Sequence, residues 1–191
     1  MFLHLPLPIT AVQILWVNLV TAITLGIALA FEPTEDGTMR RPPRERAEPL
    51  LSGELTWHIF LVSALFVAAV FGIFAYANDK GHSDEVSRTM ALNMLVVLEI
   101  FHLFFIRNIH GTSITWRAVR GTRVVWQTVT AVVAAQFAVT YLPPLQMLIG
   151  TASVSLADGV LIVGIGVLFF AILETEKQMR LGLRRANSRA S

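Results

Sequence analysis

The chain has 191 residues, of which 54% are hydrophobic and only 15% are charged, and its formal net charge is +2 at pH 7. Soluble domains carry about 25% charged residues on average, whereas the charges here stand in short islands between long apolar runs. This composition excludes an ordinary soluble domain and predicts an integral membrane protein. Cysteine is absent, which excludes disulfides and thiolate metal sites.

Five apolar stretches are long enough, or nearly long enough, to cross a bilayer as helices. The hydrocarbon core of a bilayer requires roughly 17–25 mostly apolar residues per helix. The third and fifth stretches are short, so we expect them to pack closely against their neighbours. The sequence therefore predicts an all-α membrane protein, a five-helix transmembrane bundle, with spans at about 11–31, 57–77, 89–106, 124–142 and 157–173.

The first stretch, ILWVNLVTAITLGIALAF, has polar residues near its middle. Asn18 and Thr21 are three residues apart, which predicts that they share one face of an α-helix. Their oxygens, with the backbone carbonyl of Thr21, suit a hard or alkali cation, because such ions prefer oxygen ligands. The competing interpretation is a polar contact that holds two helices together. Gln13 and Thr24 are weaker candidates for ion ligands.

The loop that follows, residues 32–56, is rich in proline and arginine. Its four prolines forbid a continuous helix and favour extended or turn backbone. Composition alone favours a solvated loop. The more specific interpretation is a docking surface for a cytoplasmic domain.

Glu99, in the third stretch, is the carboxylate that the sequence places at membrane depth. It lies ten residues after Thr89, about 15 Å along a helix, which is close to the middle of the bilayer. An ionisable residue there costs ~2.5–3.5 kcal/mol and indicates a functional site; a structural contact between helices is the alternative. His102 lies three residues further on, within reach of a Glu99–His102 hydrogen bond, although His102 by itself is more typical of a structural residue.

The last part of the chain has turn and packing signals. Pro143 and Pro144 are expected to close the fourth helix, and Asp158 lies near the start of the fifth, where a carboxylate complements the helix dipole. Gly164 and Gly166 are predicted to be positions of close helix packing. The four tryptophans are assigned to the membrane interfaces.

The distribution of basic residues predicts the orientation. Of the 15 Lys and Arg residues, 13 lie in the first loop, in the third loop with the helix ends that flank it, or in the tail, 174–191. Only Lys80 and Arg88 lie on the other side. The positive-inside rule then places the N-terminus outside and the C-terminus in the cytoplasm. An N-terminus outside the cell without an export signal is natural after an earlier helix, so we expect the C-terminal part of something larger.

Several motifs resemble one known family. The run LPLPITAVQILWVNLVTAITLGIALAFEP, followed by MRRPPRERAEPLLSG, resembles the sixth transmembrane helix and the next cytoplasmic loop of P-type cation-transporting ATPases, in the calcium-pump-like branch. TMALNMLVVLE is similar to the eighth helix, and LPPLQ, SLAD and LETEK to the ninth-to-tenth-helix region of bacterial members. The resemblance implies that residues 1–191 are a C-terminal transmembrane domain, helices six to ten, in a bacterial plasma membrane.

The resemblance also implies a cation site. In the family, helix six is unwound at its middle, where an Asn, a Thr and an Asp ligate the transported ion together with a Glu of helix eight. Asn18, Thr21 and Glu99 match the Asn, the Thr and the Glu, whereas Ala22 stands where calcium pumps have the Asp. Because charge count tunes the affinity for a divalent ion, a single site, a monovalent ion and proton coupling all remain open.

The family's phosphorylation motif DKTGT, its TGES loop and its nucleotide-binding domain are absent from the 191 residues. We therefore expect no ATP hydrolysis by this chain alone, with ATP and Mg²⁺ acting only through other domains. The implied partners are helices one to five, the cytoplasmic domains and the lipid bilayer, and no nucleic acid. In this interpretation residues 32–56 couple the membrane domain to the catalytic domains.

Two other classes of function are consistent with the sequence. The first is a stand-alone, non-enzymatic membrane protein that binds or stabilises a partner pump. The second is a small secondary carrier that uses Glu99 and His102 for protons, which is disfavoured because the chain shows no paired repeats of the kind that carriers contain.

Overall fold

A computed structural model describes residues 7–31, 53–107 and 122–190, without the side chains of 21–25, 54 and 183–190. Every regular element in these ranges is a helix. The predicted coupling loop, 32–56, lies outside the described residues except for its last four, which begin a helix. In chain order the helices are α1 Ala11–Val17, a π-helix Asn18–Ala22, α2 Ile23–Ala30, α3 Gly53–Asp79, α4 Asp84–Ile106, α5 Arg123–Tyr141, α6 Pro143–Ile149 and α7 Leu156–Ala190.

The first predicted span, 11–31, is helical up to Ala30, but it is not one regular helix. Thr10 begins it with a capping box: its hydroxyl accepts from the backbone N–H of Gln13, and the Gln13 side chain accepts from the N–H of Thr10. The α-helical hydrogen bonding changes to a π-helix at Asn18 and resumes at Ile23. The segment from α1 to α2, which we call the first helical path, is therefore one continuous helical stretch whose hydrogen bonding changes at its middle.

The third predicted span is longer than the sequence indicated. We expected it to begin near residue 89, but α4 begins at Asp84 and has 23 residues. Ser83 caps it by accepting from the N–H of Val86, and Asp84 and Glu85 occupy the first turn, where carboxylates are favourable. We placed the span from its apolar residues, and the polar residues at its start do not belong to that pattern.

The region after α5 also differs in part from the prediction. Pro143 does follow the end of a helix, as expected, since α5 ends at Tyr141. However, the stretch that we expected to be a loop contains α6, Pro143–Ile149, which is capped at its C-terminus by Gly150, where φ is 71°. The helix α7 continues to Ala190, well past the predicted end of the fifth span at 173.

The helix α4 lies at the centre of the packing. Its main apolar core is shared with α3 and α7 and includes Phe74, Met94 and Phe169. Two smaller clusters join α4 to the first helical path and to α5; they contain Val17, Leu92, Val96 and Val132, and Ala28, Leu103, Val125 and Val129. Half of the apolar window of α4 is buried, against 17–33% for the other three long helices.

Four helices in the described ranges are long and apolar enough to cross a membrane: Leu55–Asp79, Asp84–Ile106, Arg123–Tyr141 and Leu156–Gly182. They correspond to the second to fifth predicted spans. The first predicted span contributes only a shorter apolar helix, Ala11–Val20, to this set. The all-helical fold class is confirmed, whereas the count of five membrane-crossing helices stays a prediction.

Candidate cation site and the polar contacts around it

The π-helix Asn18–Ala22 contains two of the three predicted ligand residues and the position that departs from calcium pumps. A π-helix replaces the i→i+4 hydrogen bonds of an α-helix with i→i+5 bonds and occurs frequently at functional sites. The backbone N–H of Asn18 is shared between the carbonyls of Ile14 and Leu15, and the Asn18 side chain is exposed. The sequence did not indicate this rearrangement; only the resemblance implied an irregular middle.

Glu99 lies at the same level along the bundle as the π-helix. It is half-buried on α4, on the helical stripe formed by Val96 and Leu103. Val96 belongs to the same apolar cluster as Val17, directly before the π-helix, and Leu103 to the same cluster as Ala28, after it. Glu99 lies between Val96 and Leu103 along α4, as the π-helix lies between Val17 and Ala28.

The α-helical spacing from which we paired Asn18 with Thr21 does not describe this segment. We expected the two residues on one face from α-helical spacing, but the segment is π-helical, so that spacing rule does not apply. The Thr21 side chain lies outside the described residues. Within the described part of the chain, no three His, Asp or Glu side chains cluster closely enough to hold a metal ion.

The hydrogen bond predicted between Glu99 and His102 is not formed. His102 instead stacks on His58, with ring centroids 5.8 Å apart, and on Phe105, at 6.1 Å. Its Nδ1 is buried and makes no hydrogen bond within the described ranges. His102 thus packs among aromatic rings between α3 and α4, which agrees with the structural role expected for it alone.

A buried ion pair lies in α7, in a region that the sequence assigned to the basic cytoplasmic tail, 174–191. Lys177 Nζ is 2.6 Å from Glu174 Oε2, and both side chains are almost fully buried. Gln178 donates to the other carboxylate oxygen, Oε1, at 2.7 Å, and Lys177 also lies over the ring of Phe105, 4.6 Å from its centroid. The three-residue spacing of Glu174 and Lys177 was the signal that could have suggested this pair.

Four polar side chains form a network among α1, α4 and α5. Trp16 Nε1 donates to Gln136 Oε1 at 3.0 Å, and Gln136 Nε2 donates to Asn93 Oδ1 at 2.7 Å. Thr140 Oγ1 donates to the same Asn93 oxygen at 3.1 Å. Nothing in the sequence indicated this network, and Trp16 was expected at a membrane interface.

Asp158 joins the start of α7 to the turn between α3 and α4. Its Oδ1 accepts from Lys80 Nζ at 2.9 Å and its Oδ2 from Ser155 Oγ at 2.6 Å, and His82 Nε2 lies 3.4 Å from Oδ2. The Asp158 side chain is only 2% exposed. The hydrogen bond to Asp158 raises the pKa of Lys80 above its ordinary 10.5. Asp158 lies in the first turn, as expected, and Ser155 accepts from its N–H.

The start of α1 is also tied to distant parts of the chain. Gln13, which is fully buried, donates from Nε2 to the carbonyl of Gly150 at 2.9 Å. Arg88 donates from Nε to the carbonyl of Leu7 at 3.2 Å. These bonds, with the Lys80–Asp158 pair, connect the end of the bundle at which α1, α4 and α7 begin.

The glycines of α7 differ in their surroundings. A Cβ atom on Gly166 would stand 2.5 Å from Val97 Cγ1 and 2.7 Å from the ring of Phe101. A Cβ on Gly164 would meet nothing within 4 Å. The prediction of close packing is confirmed for Gly166 and wrong for Gly164.

Comparison with known proteins identifies a family. Residues 6–179 match the family model described as "Cation transporting ATPase, C-terminus". The chain is 42% identical over 171 residues to the "Probable cation-transporting ATPase F" of Mycobacterium tuberculosis, covering 89% of this chain and 19% of that protein. It is 31% identical over 171 residues to the "Calcium-transporting ATPase" of Bacillus subtilis, covering 88% of this chain and 19% of that protein.

The similarity extends to animal proteins, with 29% identity over 185 residues to the "Calcium-transporting ATPase type 2C member 2" of Mus musculus, covering 96% of this chain and 19% of that protein. The chain thus spans about a fifth of the length of these relatives. The resemblance that the motifs indicated is confirmed. With a match over most of its length and several apolar helices, the chain belongs to the C-terminal membrane-domain family of P-type cation-transporting ATPases.

Proposed function

We propose that this chain is the part of an ATP-driven cation transporter that corresponds to helices six to ten, and that Asn18, Thr21 and Glu99 contribute ligands to its ion site. The observation that carries the proposal is the π-helix, which begins at Asn18 and includes Thr21. An interrupted helix offers backbone carbonyls as additional oxygen ligands, which hard cations require in number.

The position of Glu99 supports the same site. It lies on α4 between Val96 and Leu103, which share apolar clusters with residues on either side of the π-helix. An ionisable residue at membrane depth indicates a functional site, and carboxylate oxygens are the ligands that hard cations prefer. Helices four and five, which the family uses to complete the site, would come from the remainder of the pump.

The transport cycle would act on this arrangement through the cytoplasmic loop. We infer that residues 32–56 contact the phosphorylation domain and that phosphorylation there shifts the helices around Asn18 and Glu99. With the basic loops in the cytoplasm, the N-terminal end of α1 faces outward. The ion would then be exposed alternately to the two sides of a bacterial plasma membrane.

The replacement Glu99→Gln tests the site in the complete pump. It removes the charge and keeps the shape, so the cation-dependent formation of phosphoenzyme from ATP should require at least about tenfold more cation, since one lost charge-assisted contact is worth about 1.5–3 kcal/mol. Glu176→Gln is the matched control, because Glu176 is also a half-buried glutamate but lies on α7, where it is 3.6 Å from Arg180. Equal cation dependence in wild type and Glu99→Gln would reject the site.

Ala22→Asp tests the difference from calcium pumps. The new carboxylate adds a negative charge at the position where calcium pumps have one, so the affinity for Ca²⁺ should rise relative to monovalent ions. Ala30→Asp, in the last turn of α2, adds the same charge beyond the π-helix and serves as the control. An identical response to both replacements would show that charge alone, and not the site, produced the change.

A further inference from the structure

A cavity of about 180 Å³ lies between α4, α5 and α7, on the side of α4 away from α3. Its walls are mostly apolar and include Val97, Val133, Phe137 and Ile162. Phe137 and Val163 line it and are also 61% and 49% exposed on the outer surface, which places an opening between α5 and α7. The side chains at this opening are apolar, so within a membrane the cavity is accessible to lipid-soluble molecules.

One end of the cavity is polar and its hydrogen-bonding directions are fixed by Trp16. The indole N–H can only donate, so the atom of Gln136 that it contacts must be Oε1. Gln136 then presents Nε2 to Asn93, and the atom that accepts it must be Asn93 Oδ1. The amide orientations of both side chains therefore follow from the single donor of Trp16.

This network retains amide N–H groups that can donate. Asn93 Oδ1 accepts from both Gln136 and Thr140, and Gln136 Oε1 accepts from Trp16. Asn93 lines the cavity, and its Nδ2 group is not used by Gln136 or Thr140, which both bond its oxygen. An amide N–H at this depth has no water to bond, so a ligand with an acceptor oxygen is favoured.

We propose that this cavity binds a small, uncharged, lipid-soluble molecule with a carbonyl oxygen, which accepts a hydrogen bond from Asn93 while its apolar body fills the space between α4, α5 and α7. The volume suits such a body, because an engineered apolar cavity of about 150 Å³ binds benzene. The site is separate from Asn18, Thr21 and Glu99, and it does not depend on the transport function proposed above.

Such a carbonyl can come from a free molecule dissolved in the membrane or from the ester of a bilayer lipid. Asn93 lies six residues before Glu99, about 9 Å along the helix axis, between the middle of the bilayer and the boundary of the hydrocarbon core where lipid esters lie. The small volume of the cavity favours a free ketone, quinone or ester over the long acyl chains of a bilayer lipid.

Photolabelling of the full chain in phosphatidylethanolamine–phosphatidylglycerol vesicles tests the proposal, with acetophenone as the probe. The excited carbonyl of this aryl ketone reacts with nearby C–H bonds, and mass spectrometry locates the adducts. We expect adducts to concentrate on the α5 and α7 residues that line the cavity. Even labelling of all lipid-facing segments would show only partitioning into the bilayer and would overturn the site.

A matched pair of glycine variants tests the location. Gly159 lines the cavity and has open space at its Cβ position, so Gly159→Leu should fill the cavity and reduce labelling at least about fivefold. Gly164 has equal space but does not line the cavity, so Gly164→Leu should label as wild type. Val163→Phe is a second variant that should fill the cavity, and it changes a side chain that is already exposed. Undiminished labelling in both filling variants would contradict the proposal.

Competition tests the hydrogen bond and the source of the ligand. Methyl benzoate and ethylbenzene have similar shapes, but only the first has a carbonyl, so it should compete about three- to tenfold better, as one net hydrogen bond predicts. Equal competition would overturn the role of Asn93. Labelling should also be the same in ester-linked and ether-linked lipids; weaker labelling in ester lipids would assign the cavity to bilayer lipid instead.

Discussion

Trp16 donates its indole N–H to Gln136 and thereby joins α1 to α5 across 120 residues of sequence. The bond does more than connect two helices, because it determines which amide atoms Gln136 and Asn93 turn towards each other. A side chain assigned from sequence to the membrane interface therefore organises a polar network inside the bundle.

Replacing Trp16 with Phe should lower the free energy of unfolding by about 0.6–1.7 kcal/mol, the range measured for side-chain hydrogen bonds within membranes. The reason is the loss of the bond to Gln136 Oε1. Unfolding measured by steric trapping in bicelles would give the difference. Trp57→Phe is the control, since Trp57 is 58% exposed, and a loss of equal size in both variants would show that the hydrogen bond contributes nothing.

Asp158→Asn should lower the free energy of unfolding by about 1–3 kcal/mol, the loss expected when a hydrogen-bonded charge is neutralised. Asp158 is buried and accepts from both Lys80 and Ser155. Asp84→Asn is the matched control, because Asp84 is 65% exposed and lies 3.9 Å from Arg88. Its effect should stay within about 1 kcal/mol, and comparable losses in the two variants would argue against a special role of Asp158.

The contribution of Lys80 should depend on pH in one direction. Its pKa is raised in the folded state, first by the hydrogen bond to Asp158. A lysine whose pKa is higher in the folded than in the unfolded state stabilises the fold fully at pH values below its ordinary pKa. This contribution is lost as the pH rises through the pKa of the folded state. The stability difference between wild type and Lys80→Met should therefore be constant from about pH 8 to 10 and shrink above about 10.5. A difference that already declines near neutral pH would exclude this linkage.

Glu174→Leu should be strongly destabilising, by about 3–5 kcal/mol, because it leaves the buried ammonium of Lys177 without its carboxylate. The double variant Glu174→Leu, Lys177→Met should regain much of the loss, since no charge then remains buried at the pair. Chemical denaturation in mixed micelles would measure both.

Glu176→Leu supplies the comparison for that pair, because Glu176 and Arg180 are 3.6 Å apart and each is about a fifth to a quarter exposed. We expect it to cost no more than about 1 kcal/mol. If the double variant were as unstable as Glu174→Leu alone, the loss would come from packing and not from an unpaired charge.

Gly166→Ala should destabilise the protein by about 1–3 kcal/mol, because its Cβ would overlap Val97 and Phe101 on α4. Gly164→Ala should instead be neutral or stabilising by up to about 1 kcal/mol, as expected for alanine replacing glycine in a helix with free space. Thermal unfolding of the two variants gives the comparison. A similar change in both would mean that α4 and α7 do not approach closely at Gly166.

The sequence was sufficient to predict most of the helices but not the polar contacts between them. Apolar runs predicted the second to fifth spans because burial in lipid requires length and hydrophobicity, which any window of residues reveals. The start of α4 was placed five residues late, since Ser83, Asp84 and Glu85 act as helix-starting residues through capping and charge, and not through hydrophobicity. For the same reason α6 was not predicted, because it begins with prolines, which in a sequence are typical of a loop.

The candidate ligand residues can be named from the sequence and stay a prediction, whereas their backbone could not be derived from it. Asn18 and Glu99 stand out because polar groups within apolar runs are rare. The π-helix at Asn18 could not be derived from spacing, because the pattern of apolar residues does not distinguish i→i+4 from i→i+5 bonding over five residues. Likewise, Trp16 and Gln136 are 120 residues apart, and only the fold brings them together.

The bond from Gln13 to Gly150 has a consequence for biosynthesis. The two residues are separated by 137 positions, so at about 5–20 residues per second a ribosome needs about 7–27 s to deliver the second after the first. Throughout that interval the amide of Gln13 must remain in contact with water, lipid head groups or an insertion factor. The end of the bundle at which α1, α4 and α7 begin is therefore completed late in synthesis, after α5 has been made.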